Sequence, residues 1–285
     1  MPRIPRFFMN DPQAAYHVIS RTALPGHDVL GDEEKEHLLH LISWLSQVYF
    51  VEVYGFAIMG NHFHFLCRML PEEQFSDEEL KRRIKLYYGE KRKIFFYEDM
   101  LKKWRKRLGN LSRYVQDIKQ RFSRWYNKRV DRKGYFWADR FKSVIIETGE
   151  ALLNCLAYIE LNPVRAGIVE KPEDYRWCSL GYRARRGTGK TFLSLDLGLQ
   201  RYEGKSEKEK LELLREFVYG KGGLGEPDRG TGETFRQRTR YFTESLAIGS
   251  KGFVKETAAE LKKFLGLKRE KKIKIIEKLA DMAII

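Results

Sequence analysis

His62-Phe63-His64 is the sharpest local pattern in the chain. Residues two apart on a strand project from the same face, so two imidazoles would stand side by side and could hold one metal ion. Phe63 would point to the other face, into a core. The same pattern arises by chance in strands, and spacing alone does not separate the two readings. A second constellation is Tyr158 and Asn162, whose i, i+4 spacing puts them on one face of a helix with the asparagine at its end. A tyrosine hydroxyl can attack a phosphodiester and become a phosphotyrosine, and an amide oxygen can join two histidines around a divalent cation. Tyrosine, with a pKa of about 10, is a poor nucleophile unaided, so a metal would have to polarise the phosphate. The alternative reading makes Tyr158 a packing residue against a sheet and Asn162 a helix cap. His37 and His40 form a rival i, i+3 pair without an acidic partner and read as surface residues, while His17 is either structural or near the site. Tyr114 and Tyr126 are rival nucleophiles, but Tyr126 is followed by Asn127 and lacks an asparagine at i+4.

The charge distribution points the same way. Of 54 Lys plus Arg and 39 Asp plus Glu in 285 residues, the stretch 81–140 holds 21 and 6, leaving 33 of each elsewhere, so the whole net charge of +15 sits in this stretch. There basic residues interleave with Trp104, Phe122, Trp125 and Tyr126, which suits phosphates and unpaired bases. The expected nucleic-acid contacts are Arg82, Arg83, Lys91, Arg92, Lys93, Lys102, Lys103, Arg105, Lys106, Arg107, Arg121, Arg124, Arg140 and Lys142. A solvated helix face is the bland alternative, and a membrane surface is a weaker one without a lipidation signal. No run approaches the roughly 18 apolar residues of a membrane span, and MPRIPRFFMN lacks the apolar region of a signal peptide, so a cytoplasmic location is expected. Cys67, Cys155 and Cys178 are odd in number and far apart, which excludes a disulfide framework and reads as buried thiols.

These groups need elements to position them. AAYHVISRT (14–22) reads as a strand, and Leu38, Leu39, Ile42, Leu45 and Val48 recur at helical spacing behind the acids Asp32, Glu33 and Glu34. Residues 51–70 read as two strands broken at Met59-Gly60-Asn61, and 110–129 as a helix with Leu111, Val115, Ile118, Phe122 and Trp125 on one face. A strand over 135–147 and a helix over 149–161, stopped by Asn162-Pro163, complete β-α-β-β-α-β plus a terminal helix. This is an α+β, ferredoxin-like split βαβ plan, an antiparallel sheet with helices on one face. From about 184 the texture changes, and 206–221, 253–265 and 268–282 read as helices of a mostly helical extension, 186–285. GTGKT (187–191) is no phosphate loop, because the pattern needs glycine where Ala184 stands.

GNHFHFL, GYFWADRFKS (134–143), YIELNPVRAGIV (158–169) and PEDYRWCS (172–179) occur together and in this order. In this the chain resembles the REP-associated branch of the single-strand, His-hydrophobic-His tyrosine transposases, over about residues 10 to 183. The resemblance implies a nuclease domain, 1–185, whose sheet carries the metal ligands His62 and His64 and whose helix carries the nucleophile Tyr158, with Asn162 as third ligand. It implies Mg²⁺ or Mn²⁺, although two imidazoles would also suit Zn²⁺ or Ni²⁺. It further implies a single-stranded DNA partner with a REP-like hairpin, no nucleotide cofactor, a monomer or a homodimer, and cleavage and rejoining through a 5′-phosphotyrosine. Two departures stand out. The segment 71–109 is longer and more basic than the pattern, as an added DNA-binding arm would be, and 186–285 is absent from the shortest members. AIGSKGFVKETAAEL (247–261) looks like tails of longer relatives. Two rival readings are a noncatalytic or domesticated hairpin-binding protein and a metal-dependent hydrolase that uses water.

Overall fold

The computed structural model describes residues 7–9, 11–24, 27–186, 191–224, 239–266, 273–276 and 282–285. The apolar alternation and helical spacing of the first half become β1 (Ala14–Arg21), α1 (Asp32–Val48), β2 (Val51–Ile58) and β3 (His62–Met69). The basic stretch folds as α2 (Asp77–Tyr88), α3 (Glu98–Leu108) and α4 (Leu111–Arg129). Ser76 and Asn110 cap α2 and α4 by accepting from the backbone N–H of Glu79 and Arg113. There follow β4 (Lys142–Glu147), α5 (Glu150–Glu160), α6 (Asn162–Arg165) and α7 (Ser179–Arg186). Proline again fixes a boundary: α5 ends before Leu161, and Pro163 sits in the first turn of α6, where its missing N–H costs nothing.

The sheet begins β2-β3-β1-β4, every neighbour antiparallel, which is the split βαβ order. Helices α1 and α4 lie on one face, where Leu38, Ile42 and Leu45 pack with Val115, Ile118 and Phe122 over Tyr16, Val18, Phe63 and Phe65. Each such fully buried side chain contributes roughly 1.5–3 kcal/mol. The expected placement of helices on one face holds for α1 to α4, whose Leu80, Ile84 and Leu108 join the same cluster. The other face, carrying Ala15, Leu66, Val144 and Ile146, is covered by α5 through Leu152, Leu156 and Ile159. Gly55, beside a bulge in β2, lets α5 lie close: a Cβ there would stand 2.3 Å from Leu156 Cδ1.

The strand expected over 135–147 forms only from Lys142. Ahead of it the chain keeps a single bridge, Trp137 to Thr22. In the extension, α8 (Glu207–Gly222), α9 (Tyr241–Glu244) and α10 (Lys251–Leu265) include the helices expected near 206–221 and 253–265. The helix expected over 268–282 is corrected: its described residues include β6 (Lys274–Ile276) and the start of β7 (Met282–Ile284). Together with β5 (Ala247–Gly249), which pairs parallel to β4, they continue the sheet to seven strands, β2-β3-β1-β4-β5-β7-β6. Thus the extension shares the sheet of the first 185 residues. GTGKT lies outside the described residues except Thr191. Among the described residues no helix is long and apolar enough to cross a membrane, and all three cysteines are buried thiols.

Candidate active site

Strand pleating brings the chemistry to the α5 face. On β3, His62 and His64 share that face with their ring centroids 5.0 Å apart, while Phe63 and Phe65 turn to the core under α1 and α4. The register pairs Ile19 of β1 with His64 and His17 with Leu66, so His17 lies diagonally beside His64, ring stacked at 5.0 Å. From above, α5 sets the Tyr158 ring edge-on to both, 6.2 Å from His17 and 6.4 Å from His64. A pocket of about 540 Å³ opens between sheet and helix, lined by His62, His64, Tyr158, Asn162 and Arg165, with Arg21, Asp139, Arg140 and Lys142 around it and Thr243 from the extension. The four residues singled out for chemistry therefore meet, although 96 positions separate His62 from Tyr158 in the sequence.

Hydrogen bonds decide which nitrogens face the pocket. His62 Nδ1 is 2.7 Å from Asn61 Oδ1, an acceptor, so Nδ1 carries the proton and the lone pair is on Nε2. His64 Nδ1 is 2.8 Å from His17 Nε2, and His17 Nδ1 is 2.8 Å from the Phe242 carbonyl oxygen. A carbonyl only accepts, so His17 donates from Nδ1, accepts at Nε2, and receives the Nδ1 proton of His64. The His64 lone pair is then also on Nε2. Burial in this apolar layer holds His17 down to about 4 and His64 well below the ordinary histidine range, keeping both rings neutral. Asn162 Nδ2 donates to the carbonyls of Ile159 (3.1 Å) and Tyr158 (3.4 Å). This is the capping role of the alternative reading.

The donor set fits a divalent cation: two imidazole Nε2 atoms and one amide oxygen would hold it. Among the described residues no group of three or more His, Cys, Asp or Glu is arranged to hold a metal.

Arg165 was not singled out from the sequence, although it lies within YIELNPVRAGIV, seven residues and two helical turns beyond Tyr158. Its guanidinium carbon sits 4.1 Å over the Tyr158 ring centroid, and Nη2 donates to the Tyr158 carbonyl at 2.8 Å. Burial pulls it down to about 10, still cationic at neutral pH. Phe242 had no sequence signal at all; its ring packs 4.8 Å from Tyr158.

The basic residues divide. Arg140 and Lys142 line the pocket, but the others stand on α2 to α4 or the loop between α2 and α3, on the far side of the sheet. Several are tied within the fold. Arg82 and Arg83 share Glu79, and Arg83 also donates to the Tyr49 carbonyl. Arg105 holds the carbonyls of Glu72 and Phe75 together with Asp77, Arg107 pairs with buried Asp117, and Lys102 with Glu98. Arg121 lies over the rings of Trp44 and Tyr87. Lys91, Arg92, Lys93 and Arg124 are exposed, and Lys103, Lys106 and Arg107 line a second hollow with Trp104 and Arg113. Of the rival groups, His37 stacks on Trp125 at 4.0 Å and Tyr114 is buried, donating to the Ile42 carbonyl.

No family model matches the chain, and no curated protein matches it in sequence. Among solved structures it is similar to one described as a REP-associated tyrosine transposase bound to a REP hairpin, at 16% identity and a TM-score of 0.44, over 69% of this chain and 93% of that one.

Proposed function

We propose that the protein is a divalent-metal-dependent transposase that cuts and rejoins single-stranded DNA beside a hairpin. The observation that carries this reading is the convergence of Tyr158, His62, His64, Asn162 and Arg165 on one pocket. Tyr158 Oη attacks the phosphorus in line, the P–O3′ bond breaks, and the phenolic proton ends on the departing 3′-hydroxyl, leaving the 5′ phosphate on the tyrosine. A second 3′-hydroxyl reverses the same step, so the bond is conserved without a nucleotide cofactor. Bound at His62, His64 and Asn162, Mg²⁺ or Mn²⁺ would polarise the scissile phosphate. Arg165, its guanidinium over the Tyr158 ring, places a cation where the phosphoryl charge grows. Arg21, Arg140 and Lys142 would hold the flanking phosphates, and an unpaired strand would enter the pocket without the cost of opening a duplex.

The test is incubation with labelled hairpin-bearing single-stranded DNA and Mn²⁺, followed by denaturing electrophoresis. The wild type forms a protein–DNA adduct that Tyr158→Phe lacks. Tight binding with neither adduct nor cut in the wild type would establish the hairpin-binding alternative. Cutting by both proteins would establish the water-using hydrolase.

A further inference from the structure

The extension reaches into the pocket at one point. Strand β5 pairs with β4, and α9, immediately before it, lays the Phe242 carbonyl against His17 and the Phe242 ring against Tyr158. His17 is completely buried on β1, with one ring nitrogen on that carbonyl and the other on His64. The charged groups facing this pair are Arg165 and, beyond His64, Arg21. A proton added to His17 would place a second cation in a buried layer beside Arg165, so the neutral ring is the one the surroundings accept. With His17 neutral, the direction of both bonds is fixed by the carbonyl, which has no proton to give.

We propose that His17 is a positioning residue, through which the Phe242 carbonyl of the C-terminal extension holds His64 in the tautomer whose Nε2 lone pair faces the pocket. This rests on the reading of His64 as a metal ligand. The relay is a buried chain of three groups, Phe242 O, His17 and His64, each within 2.8 Å of the next. It gives the extension a task that its sequence does not announce: it finishes the ligand set of a sheet whose histidine strand lies more than 170 residues earlier. A ligand histidine whose second nitrogen is held in this way typically loses 10–100-fold in metal affinity when the outer partner is removed.

The experiment uses the full chain without metal, then with Mn²⁺. Long-range ¹H–¹⁵N spectra of ¹⁵N-histidine protein report the tautomer of each ring. His17 and His64 protonated on Nδ1 in the wild type support the relay, and His64 protonated on Nε2 overturns it. His17→Leu removes the acceptor and should shift His64 toward the Nε2–H tautomer and weaken Mn²⁺ binding 10–100-fold by calorimetry. His17→Gln, whose amide can accept from His64 and donate to the Phe242 carbonyl, should restore much of both. A folded His17→Leu with wild-type tautomer and Mn²⁺ affinity overturns the proposal. If His17→Leu does not fold, the wild-type tautomer and His17→Gln decide. Should the wild type show the relay and bind no Mn²⁺, the metal-dependent reading of the pocket fails, and the positioning role toward a metal fails with it while the tautomer assignment stands.

Discussion

The two faces of the sheet handle positive charge in opposite ways. Under α5, few cations are present, but Arg165 is half-buried against Tyr158, and Arg140 and Lys142 border the same pocket. On the α2–α4 side the cations are many, and Arg82, Arg83, Arg105 and Arg107 are engaged with carboxylates or carbonyls of their own fold. A count of charge along the sequence finds the second region and passes over the first. Burial and placement, more than number, separate a cation that acts on a phosphate from one that holds two helices together.

The largest effect that could break this contrast is at Arg165. Arg165→Ala should lower adduct formation roughly 10²–10³-fold, the usual loss for one aimed donor, while hairpin binding changes only a few-fold. A variant that lost binding and kept its single-turnover rate would place Arg165 with the ordinary phosphate contacts. On the other face Arg107→Ala should do the reverse, costing about 3 kcal/mol of unfolding free energy by stranding Asp117, which is 6% exposed. Denaturant melts and the salt slope of DNA binding, measured together, check it.

Glu160, the last residue of α5, sharpens the comparison. It is fully buried, accepts from the Leu180 N–H at 3.0 Å, and burial raises it from 4.5 to about 7. A raised carboxyl stabilises the fold below its unfolded value, and that contribution is lost as pH rises toward 7. Glu160→Gln should therefore gain on the wild type between pH 4.5 and about 7, reaching roughly 2–3 kcal/mol. His17 works oppositely, stabilising above 6.5 and losing this as pH falls through about 4, so the difference between the two proteins is the quantity to follow. A difference that is flat with pH would mean that Glu160 is not the buried acid described. Smaller still, the triple change Lys91→Ala, Arg92→Ala and Lys93→Ala should flatten the logarithmic salt slope of single-strand binding by about 2, with adduct yield at saturating DNA unchanged. An unaltered slope would remove the loop between α2 and α3 from the binding surface.

The parts of the fold written in local periodicity were legible. The β-α-β-β-α-β order and the proline-set end of α5 follow from residues close in sequence. Strands β5, β6 and β7 were not legible, because three residues carry almost no alternation and form a strand only by pairing with one already built. The site divides similarly. His62 with His64, and Tyr158 with Asn162, are separated by spacings that a strand and a helix turn into neighbours. Arg165 was within reach of the same helical reasoning. Phe242 was beyond it, since its carbonyl meets His17 across 225 residues and nothing in either residue's neighbourhood marks the other.

That separation has a temporal side. A ribosome adding roughly 5–20 residues per second makes His17 some 10–45 s before Phe242. Strands β1, β2 and β3 can pair, and α5 can settle over them, while the carbonyl that meets His17 does not yet exist. During synthesis the nascent protein therefore carries Tyr158 and its histidines before it carries the carbonyl that meets His17, and the pocket they line is completed late.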